Sequence, residues 1–217
     1  MLHRLWNLLF PPKCVLCRAI LQKDETDLCR NCRDHTDEAG KGKFKLSFVA
    51  RWAAMWYYKD TVRGSILRFK FGNRRSYAKC YGRLLAMQLQ KQDMADFDVL
   101  TWVPVSALRR FTRGYDQCQL LALAVAAELG VEAVSTLRKK NIPSQSTLHS
   151  AAARRANVLG AYRVSRPDLL AGKRVLLLDD IITTGATISE CARELLTAGA
   201  NEVTCGAVAV AAHNKTK

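Results

Sequence analysis

The 217-residue sequence lacks any apolar run near the roughly 20 residues that a membrane-spanning helix needs. Its N-terminal apolar stretch at residues 5–10 is too short for the hydrophobic region of a secretory signal, and it runs into Pro11 and Pro12. We therefore expect a cytoplasmic protein without a transmembrane segment. Hydrophobic residues still make up 49% of the chain, which suffices for a sizeable core and excludes wholesale disorder.

Acidic residues are scarce in this chain. It has 19 Asp and Glu against 34 Lys and Arg, which gives a formal net charge of +15. Residues 51–92 hold ten bases and one acid, and residues 138–163 hold six bases and no acid. Such clusters favour an anionic partner, a polyphosphate or a nucleic acid, although a solvated basic surface would show the same composition.

The eight cysteines divide into one group of four and four isolated residues. The group has the spacing C-x2-C-x11-C-x2-C and consists of Cys14, Cys17, Cys29 and Cys32. Two such pairs supply the four thiolates of a structural Zn²⁺ site, which leaves no open position for catalysis. A cytoplasmic setting disfavours disulfides, and the sequence around the first pair does not resemble a redox motif. The isolated thiols are predicted to be buried and inert; they are Cys80, Cys118, Cys191 and Cys205.

Apolar strands alternate with helices along most of the chain. A linker at residues 39–43 predicts a boundary near residue 42, between an N-terminal helix with the zinc finger (1–42) and a larger domain (43–217). The predicted strands are 51–59, 99–103, 175–178 and 203–211. The predicted helices are 2–10, 61–71, 76–91, 116–129, 151–157 and 188–198, and a basic loop is predicted at 138–150. This alternation is typical of an α/β fold with a mainly parallel sheet, in which ligands bind beyond the carboxyl ends of the strands.

A distinctive motif follows the apolar strand that ends at Leu178. Asp179 and Asp180 could bind ribose hydroxyls or hold Mg²⁺ through water, and the turn at residues 183–187 opens a helix whose N–H groups could cradle a phosphate. A ribose 5-phosphate could bind to both parts of this motif, with its hydroxyls at the acidic pair and its phosphate at the turn. The alternative, an N-capped loop beside an incidental acidic pair, explains less of the pattern. The sequence also lacks the G-x4-G-K-[ST] loop of nucleoside-triphosphate-binding proteins.

Residues 175–187 resemble the phosphoribosyl pyrophosphate (PRPP) signature of type I phosphoribosyltransferases. Together with the four-cysteine ribbon and the segments 103–105, 113–117 and 155–158, they give the whole chain a resemblance to the ComF family. The resemblance implies the type I phosphoribosyltransferase fold, a mainly parallel twisted sheet flanked by helices, with a flexible loop over the ligand. It also implies PRPP and Mg²⁺ as ligands.

The resemblance assigns roles to individual residues. Asp179 and Asp180 would act in catalysis, binding the ribose hydroxyls and Mg²⁺. The 5′-phosphate would be bound by Thr183, Thr184, Gly185, Ala186 and Thr187. The pyrophosphate would be bound by Val105, Ser106 and Ala107, with Arg113 just beyond them. Lys139 and Lys140 would be catalytic residues of the mobile loop, although solvated loop charges would look the same. Thr183 replaces the aspartate of 6-oxopurine transferases, which disfavours hypoxanthine and guanine as substrates.

The ComF resemblance implies a role in DNA uptake and natural transformation, with single-stranded DNA and other DNA-uptake or recombination proteins as partners. Aromatic residues interleaved with the bases of residues 51–92 suit stacking on single strands. The predicted nucleic-acid-binding residues are Lys70, Arg74, Arg75, Arg154 and Arg155. The alternative is an active phosphoribosyltransferase of nucleotide salvage or metabolism with an unidentified acceptor, and the sequence leaves this choice open.

Overall fold

The computed structural model describes residues 10–41, 44–140 and 158–212. The predicted helix at 151–157 and nearly all of that at 2–10 lie outside the described residues, as does the predicted domain boundary at residue 42. None of the helices within the described ranges has the length and apolar character needed to cross a membrane.

The centre of the fold is a five-stranded sheet. Its strands are β1 (Glu38–Lys41), β2 (Arg51–Tyr57), β3 (Val99–Trp102), β6 (Arg174–Ile182) and β7 (Glu202–Val210), and their order across the sheet is β1-β2-β7-β6-β3. β1 is antiparallel to β2, and the remaining neighbours are parallel. A separate antiparallel pair consists of β4 (Leu137–Lys139) and β5 (Tyr162–Val164). The predicted mainly parallel sheet is thus confirmed.

Helices cover both faces of the sheet. They are α1 (Arg30–His35), α2 (Asp60–Phe71), α3 (Tyr77–Lys91), α4 (Ala107–Arg113), α5 (Gln117–Leu129) and α6 (Ala186–Thr197), with a 3₁₀ turn at Pro167–Leu169. Alternate residues of β6 point to opposite faces, so Leu176 packs with α2, α3 and α5, whereas Leu177 packs with α6. The sequence predicts α5 at 116–129, ended by Gly130. In the structure Asp116 caps the start of α5, and Gly130 ends it in the left-handed conformation.

At two places strand pairing extends beyond the predicted strands. β6 continues through Ile182, and Asp179 pairs with Ala207 of β7, so the acidic pair lies inside the strand rather than after it. The start of the predicted basic loop is also a strand, since Arg138 of β4 pairs with Arg163 of β5.

The zinc-ribbon segment packs directly on α2 and α3. Val15 and Leu16 are buried in the core cluster that these helices form. The hydroxyl of Ser65 on α2 donates to the Val15 carbonyl, and the guanidinium of Arg68 donates to the Leu16 carbonyl. Arg83 of α3 lies 2.8 Å from Asp27. The ribbon therefore shares its core and its polar contacts with the larger domain.

Candidate functional site

Two buried carboxylates of β6 form the centre of the site. Lys70, near the end of α2, lies 2.8 Å from Asp180 Oδ1, and the Gln117 amide donates to Asp180 Oδ2 at 2.9 Å. Asp179 Oδ1 accepts from the Asp180 backbone N–H at 2.8 Å and from the Cys118 thiol at 3.3 Å. β6, α2 and the start of α5 thus bring these five side chains together.

The two carboxylates differ in how far a neighbouring cation balances their negative charge. Burial and the neighbouring Asp180 raise the pKa of the Asp179 carboxyl from 3.8 to about 7. Burial by itself would lower the pKa of Lys70. The ion pair and hydrogen bond with Asp180, together with the charge of Asp179, raise this pKa above its ordinary value. Within the described part of the chain, Lys70 makes the one ion pair of this acidic pair. The pair is therefore suited to receive hydrogen-bond donors or a further cation.

The turn that follows β6 lies at the carboxyl edge of the sheet. Thr184 Oγ1 accepts from the Ala186 N–H at 3.4 Å, and Gly185 precedes the first turn of α6 with φ 75°. A Cβ on Gly185 would lie 2.1 Å from Leu46 Cδ2, so the Leu46 side chain fills the space beside this residue. Glycine is required here by the positive φ and by this contact. α6 begins at Ala186, so the turn ends at a helix N-terminus, the kind of position at which backbone N–H groups bind anions.

The segment after β3 reaches the same edge, because β3 is the parallel neighbour of β6. Its Val105 N–H donates to Asp116 Oδ2 at 3.1 Å, and Ser106 caps α4 by accepting from the Arg109 N–H. Arg113 donates to Gln117 Oε1 at 2.8 Å. The predicted pyrophosphate turn is thereby connected to the acidic pair through Arg113 and Gln117.

Lys139 and Lys140 have different surroundings. The Lys139 ammonium lies 5.1 Å from the centre of the Tyr162 ring. Burial and Arg109 lower the Lys139 pKa, while Asp179 acts on it in the opposite direction. Lys140 is exposed, and its positive charge helps to lower the pKa of Glu190. The rest of the predicted mobile loop, residues 141–150, lies outside the described residues.

The residues predicted to bind nucleic acid do not form one group in the structure. Lys70 was predicted on the basic surface, but its ion pair with Asp180 places it in the acidic site. Arg74 is exposed. Arg75 is also exposed, although it donates to the Gly114 carbonyl at 3.2 Å and lies over the Tyr115 ring. Arg154 and Arg155 lie outside the described residues.

Gln117 and Cys118 are site residues to which the sequence assigned no role. Gln117 lies in a segment that carries the ComF resemblance, and its position just after the capping Asp116 is the signal that could have revealed it. Cys118 was predicted to be an inert buried thiol. It is buried, but it donates to Asp179, and burial together with Asp180 raises its pKa.

The four grouped cysteines converge as their spacing predicts. Their sulfur atoms all lie within 4.8 Å of one another, with Cys17 and Cys29 Sγ at 3.6 Å. Four thiolates bound at about 2.3 Å each to one tetrahedral ion have sulfur separations of this order, so the donor set fits zinc. All other cysteines of the chain lie outside this group.

Comparison with known proteins agrees with both halves of the structure. Residues 5–42 match the double zinc ribbon domain, and residues 116–217 match the phosphoribosyl transferase domain. Competence protein F of Haemophilus influenzae is 26% identical over 215 residues, which cover 88% of this chain and 93% of that protein. DNA utilization protein YhgH of Escherichia coli K12 is 28% identical over 204 residues, which cover 88% of this chain and 86% of that protein.

A third relative extends the same pattern. Competence protein ComFC of Streptococcus pneumoniae is 25% identical over 224 residues, which cover 88% of this chain and 96% of that protein. These similarities span both the ribbon and the larger domain. The chain is therefore similar over most of its length to proteins named for competence and DNA utilization, and it carries a double zinc ribbon in front of a type I phosphoribosyl transferase domain.

Proposed function

We propose that this chain is a competence-related protein that binds PRPP with Mg²⁺ at the Asp179–Asp180 site, binds single-stranded DNA, and acts in DNA uptake. Its relatives include proteins named for competence and for DNA utilization. The observation that carries the PRPP half is the meeting of the acidic pair, the turn at 183–187 and the turn at 105–107 along one sheet edge.

Each part of this edge suits one part of PRPP. The carboxylates of Asp179 and Asp180 would accept hydrogen bonds from the ribose hydroxyls, and their oxygen atoms are the donor type that Mg²⁺ prefers. When bound, the ion would offset the negative charge of the pyrophosphate. The N–H groups of residues 183–187 would bind the 5′-phosphate. Arg113 would contact the pyrophosphate from the end of α4, next to Val105–Ala107.

Calorimetric titration with PRPP and Mg²⁺ tests this half of the proposal. One PRPP should bind per wild-type chain. The double variant Asp179→Ala, Asp180→Ala should bind about 100-fold more weakly or not at all, because two sets of charge-assisted hydrogen bonds are removed. Asp168→Asn is the matched control, since this exposed acid lies on the 3₁₀ turn at 167–169. Unchanged binding in the double variant would reject the assignment.

The DNA half of the proposal is supported by the net charge of +15 and by the exposed bases of the α2–α3 region. The logarithm of the affinity for oligothymidylate should fall with the logarithm of salt by about 0.7 for each phosphate contacted. Arg74→Gln should remove about one phosphate contact and so make this slope shallower by about 0.7. Lys173 is exposed just before β6, at the amino ends of the parallel strands. Lys173→Gln should therefore leave the salt slope unchanged. An affinity independent of salt would contradict this half.

An active phosphoribosyltransferase is the second candidate, and Lys139 is the observation that favours it. This half-buried lysine carries a lowered pKa and lies close enough for its charge to interact with Asp179. It could stabilise the charge that develops on a leaving pyrophosphate. Release of pyrophosphate from PRPP in the presence of free bases or DNA would support this function, and its loss in Lys139→Met would assign the residue.

A further inference from the structure

Helix α4 exposes an unusual amount of apolar surface for its length. None of its residues is buried, and Leu108 and Phe111 are 71% and 86% exposed. At the end of α2, Phe71 is 68% exposed. Large aromatic rings left this open to water have no core partner in the described part of the chain, and exposed apolar groups that cluster mark interaction sites.

Two contacts join the exposed Phe71 ring and the turn after it to the end of α4, the helix that also carries Leu108 and Phe111. The Arg113 guanidinium, at the end of α4, lies 4.6 Å from the centre of the Phe71 ring. Arg75, in the turn between α2 and α3, donates to the carbonyl of Gly114, which follows α4 directly. We call this the basic–aromatic surface. It consists of Phe71, Arg75, Leu108, Arg109, Phe111 and Arg113.

The charge of this surface has one sign. Residues 104–115 include three arginines and no acid. The acid that follows them, Asp116, is buried, and its carboxylate accepts three backbone N–H groups, from Val105, Cys118 and Gln119. The surface thus combines stacking rings with uncompensated cations. Two copies of it placed face to face would repel each other, which disfavours self-association.

We propose that the basic–aromatic surface binds single-stranded DNA, with bases stacked on Phe71 and Phe111 and phosphates held by Arg75 and Arg109. This rests on the proposed function, and it deepens it by placing the strand beside the PRPP site. α4 begins directly after Ser106, and the charge of Arg109 acts on Lys139 across the site. Stacking on aromatic rings accepts every base, so we expect little sequence preference.

Fluorescence anisotropy with labelled oligothymidylate, using the full chain, tests the proposal. Phe71→Ala and Phe111→Ala should each weaken binding by about tenfold, because stacking contributes roughly 1–3 kcal/mol per base. The salt slope should stay unchanged, since no phosphate contact is removed. Phe111→Leu should weaken binding nearly as much, because leucine keeps an apolar side chain but offers no ring.

Phe48→Gly is the matched control. It removes a 52% exposed ring at a residue whose φ of 65° glycine tolerates, and DNA binding should not change. If the wild type binds DNA and the Phe71 and Phe111 variants bind it equally well, this proposal fails while the proposed function stands. If the wild type does not bind DNA, the DNA half of the proposed function fails as well. A wild-type dimer that Phe111→Ala dissociates, with DNA binding unchanged, would identify a self-association surface instead.

Discussion

The acidic pair shows how individual residues prepare the site. Among the residues that the structure describes, Lys70 and Gln117 compensate Asp180, whereas Asp179 accepts from a thiol and a backbone N–H. Two buried carboxylates with one ammonium leave a net negative charge, which is costly away from water. Hydrogen-bond donors from a ribose, or a bound cation, would relieve this cost.

Neutralising Asp179 should stabilise the ligand-free chain. Asn retains an oxygen that can accept from Cys118 and from the Asp180 N–H, and it removes the charge. We expect Asp179→Asn to raise the free energy of unfolding by about 1–3 kcal/mol near neutral pH. The folded-state pKa of about 7 lies above the ordinary 3.8, so ionisation of Asp179 destabilises the fold progressively as the pH rises through this interval.

The advantage of Asp179→Asn should therefore be largest above this interval and should shrink towards its acidic end. Melting temperatures of variant and wild type, measured in magnesium-free buffer at about pH 8 and about pH 5, check this dependence. An equal difference at both pH values, or a destabilised variant, would show that the carboxylate charge is not the cause.

Gly185 couples the phosphate turn to the segment before β2. Gly185→Ala places a Cβ in the left-handed region and into the space of Leu46, so we expect a loss of about 2 kcal/mol or more and weaker PRPP binding. Gly130→Ala, also at positive φ but with open space around it, should cost only about 1 kcal/mol. Adding Leu46→Ala to Gly185→Ala should recover part of the difference in a double-mutant cycle. No coupling between the two positions would exclude the contact as the cause.

At the scale of elements, the ribbon and the helices α2 and α3 depend on each other. The ribbon is too short to fold around a core of its own, and its buried residues pack against Ile66, Phe69 and Tyr81. The Ser65 hydroxyl, which donates to the ribbon, lies 2.5 Å from the Tyr81 hydroxyl inside this contact. Zinc binding should therefore stabilise the helices of the larger domain as well as the ribbon.

Elemental analysis and thermal melting test this dependence together. Wild type should contain one zinc per chain. Cys29→Ser should lose the metal and about 2 kcal/mol or more of unfolding free energy, since a three-thiolate site binds zinc less tightly. Cys80→Ser, which changes an isolated half-buried thiol on α3, should keep its zinc. A fully folded wild type without metal would refute the zinc assignment.

At the scale of the whole molecule, local patterns proved predictable and long-range pairings did not. The CxxC pairs, the apolar run 175–178 and the end of a helix at Gly130 are each contained within a short stretch of chain, so the sequence reveals them. The ion pair between Lys70 and Asp180 joins residues far apart in the chain, and no local pattern encodes it. β1 and β4 have four and three residues, which is too short for a periodic signal.

The candidate site also has one part that the sequence predicts and one part that it does not. The acidic pair and the phosphate turn follow from the motif and from the rule that ligands bind at the carboxyl ends of parallel strands. Gln117, Cys118 and the exposed rings of Phe71 and Phe111 required the packed structure, because their roles depend on which helix ends meet at the sheet edge. A hydrophobic residue in a helical pattern is expected to be buried, so the sequence gives no sign that Phe111 faces solvent.

A structure of the full chain with PRPP and Mg²⁺ bound would test the central claim most directly. We predict one PRPP per chain, with its ribose hydroxyls within hydrogen-bonding distance of Asp179 and Asp180 and its 5′-phosphate on the backbone N–H groups of residues 183–187. PRPP bound elsewhere, with Asp180 still paired to Lys70 and Asp179 still accepting from Cys118, would contradict it.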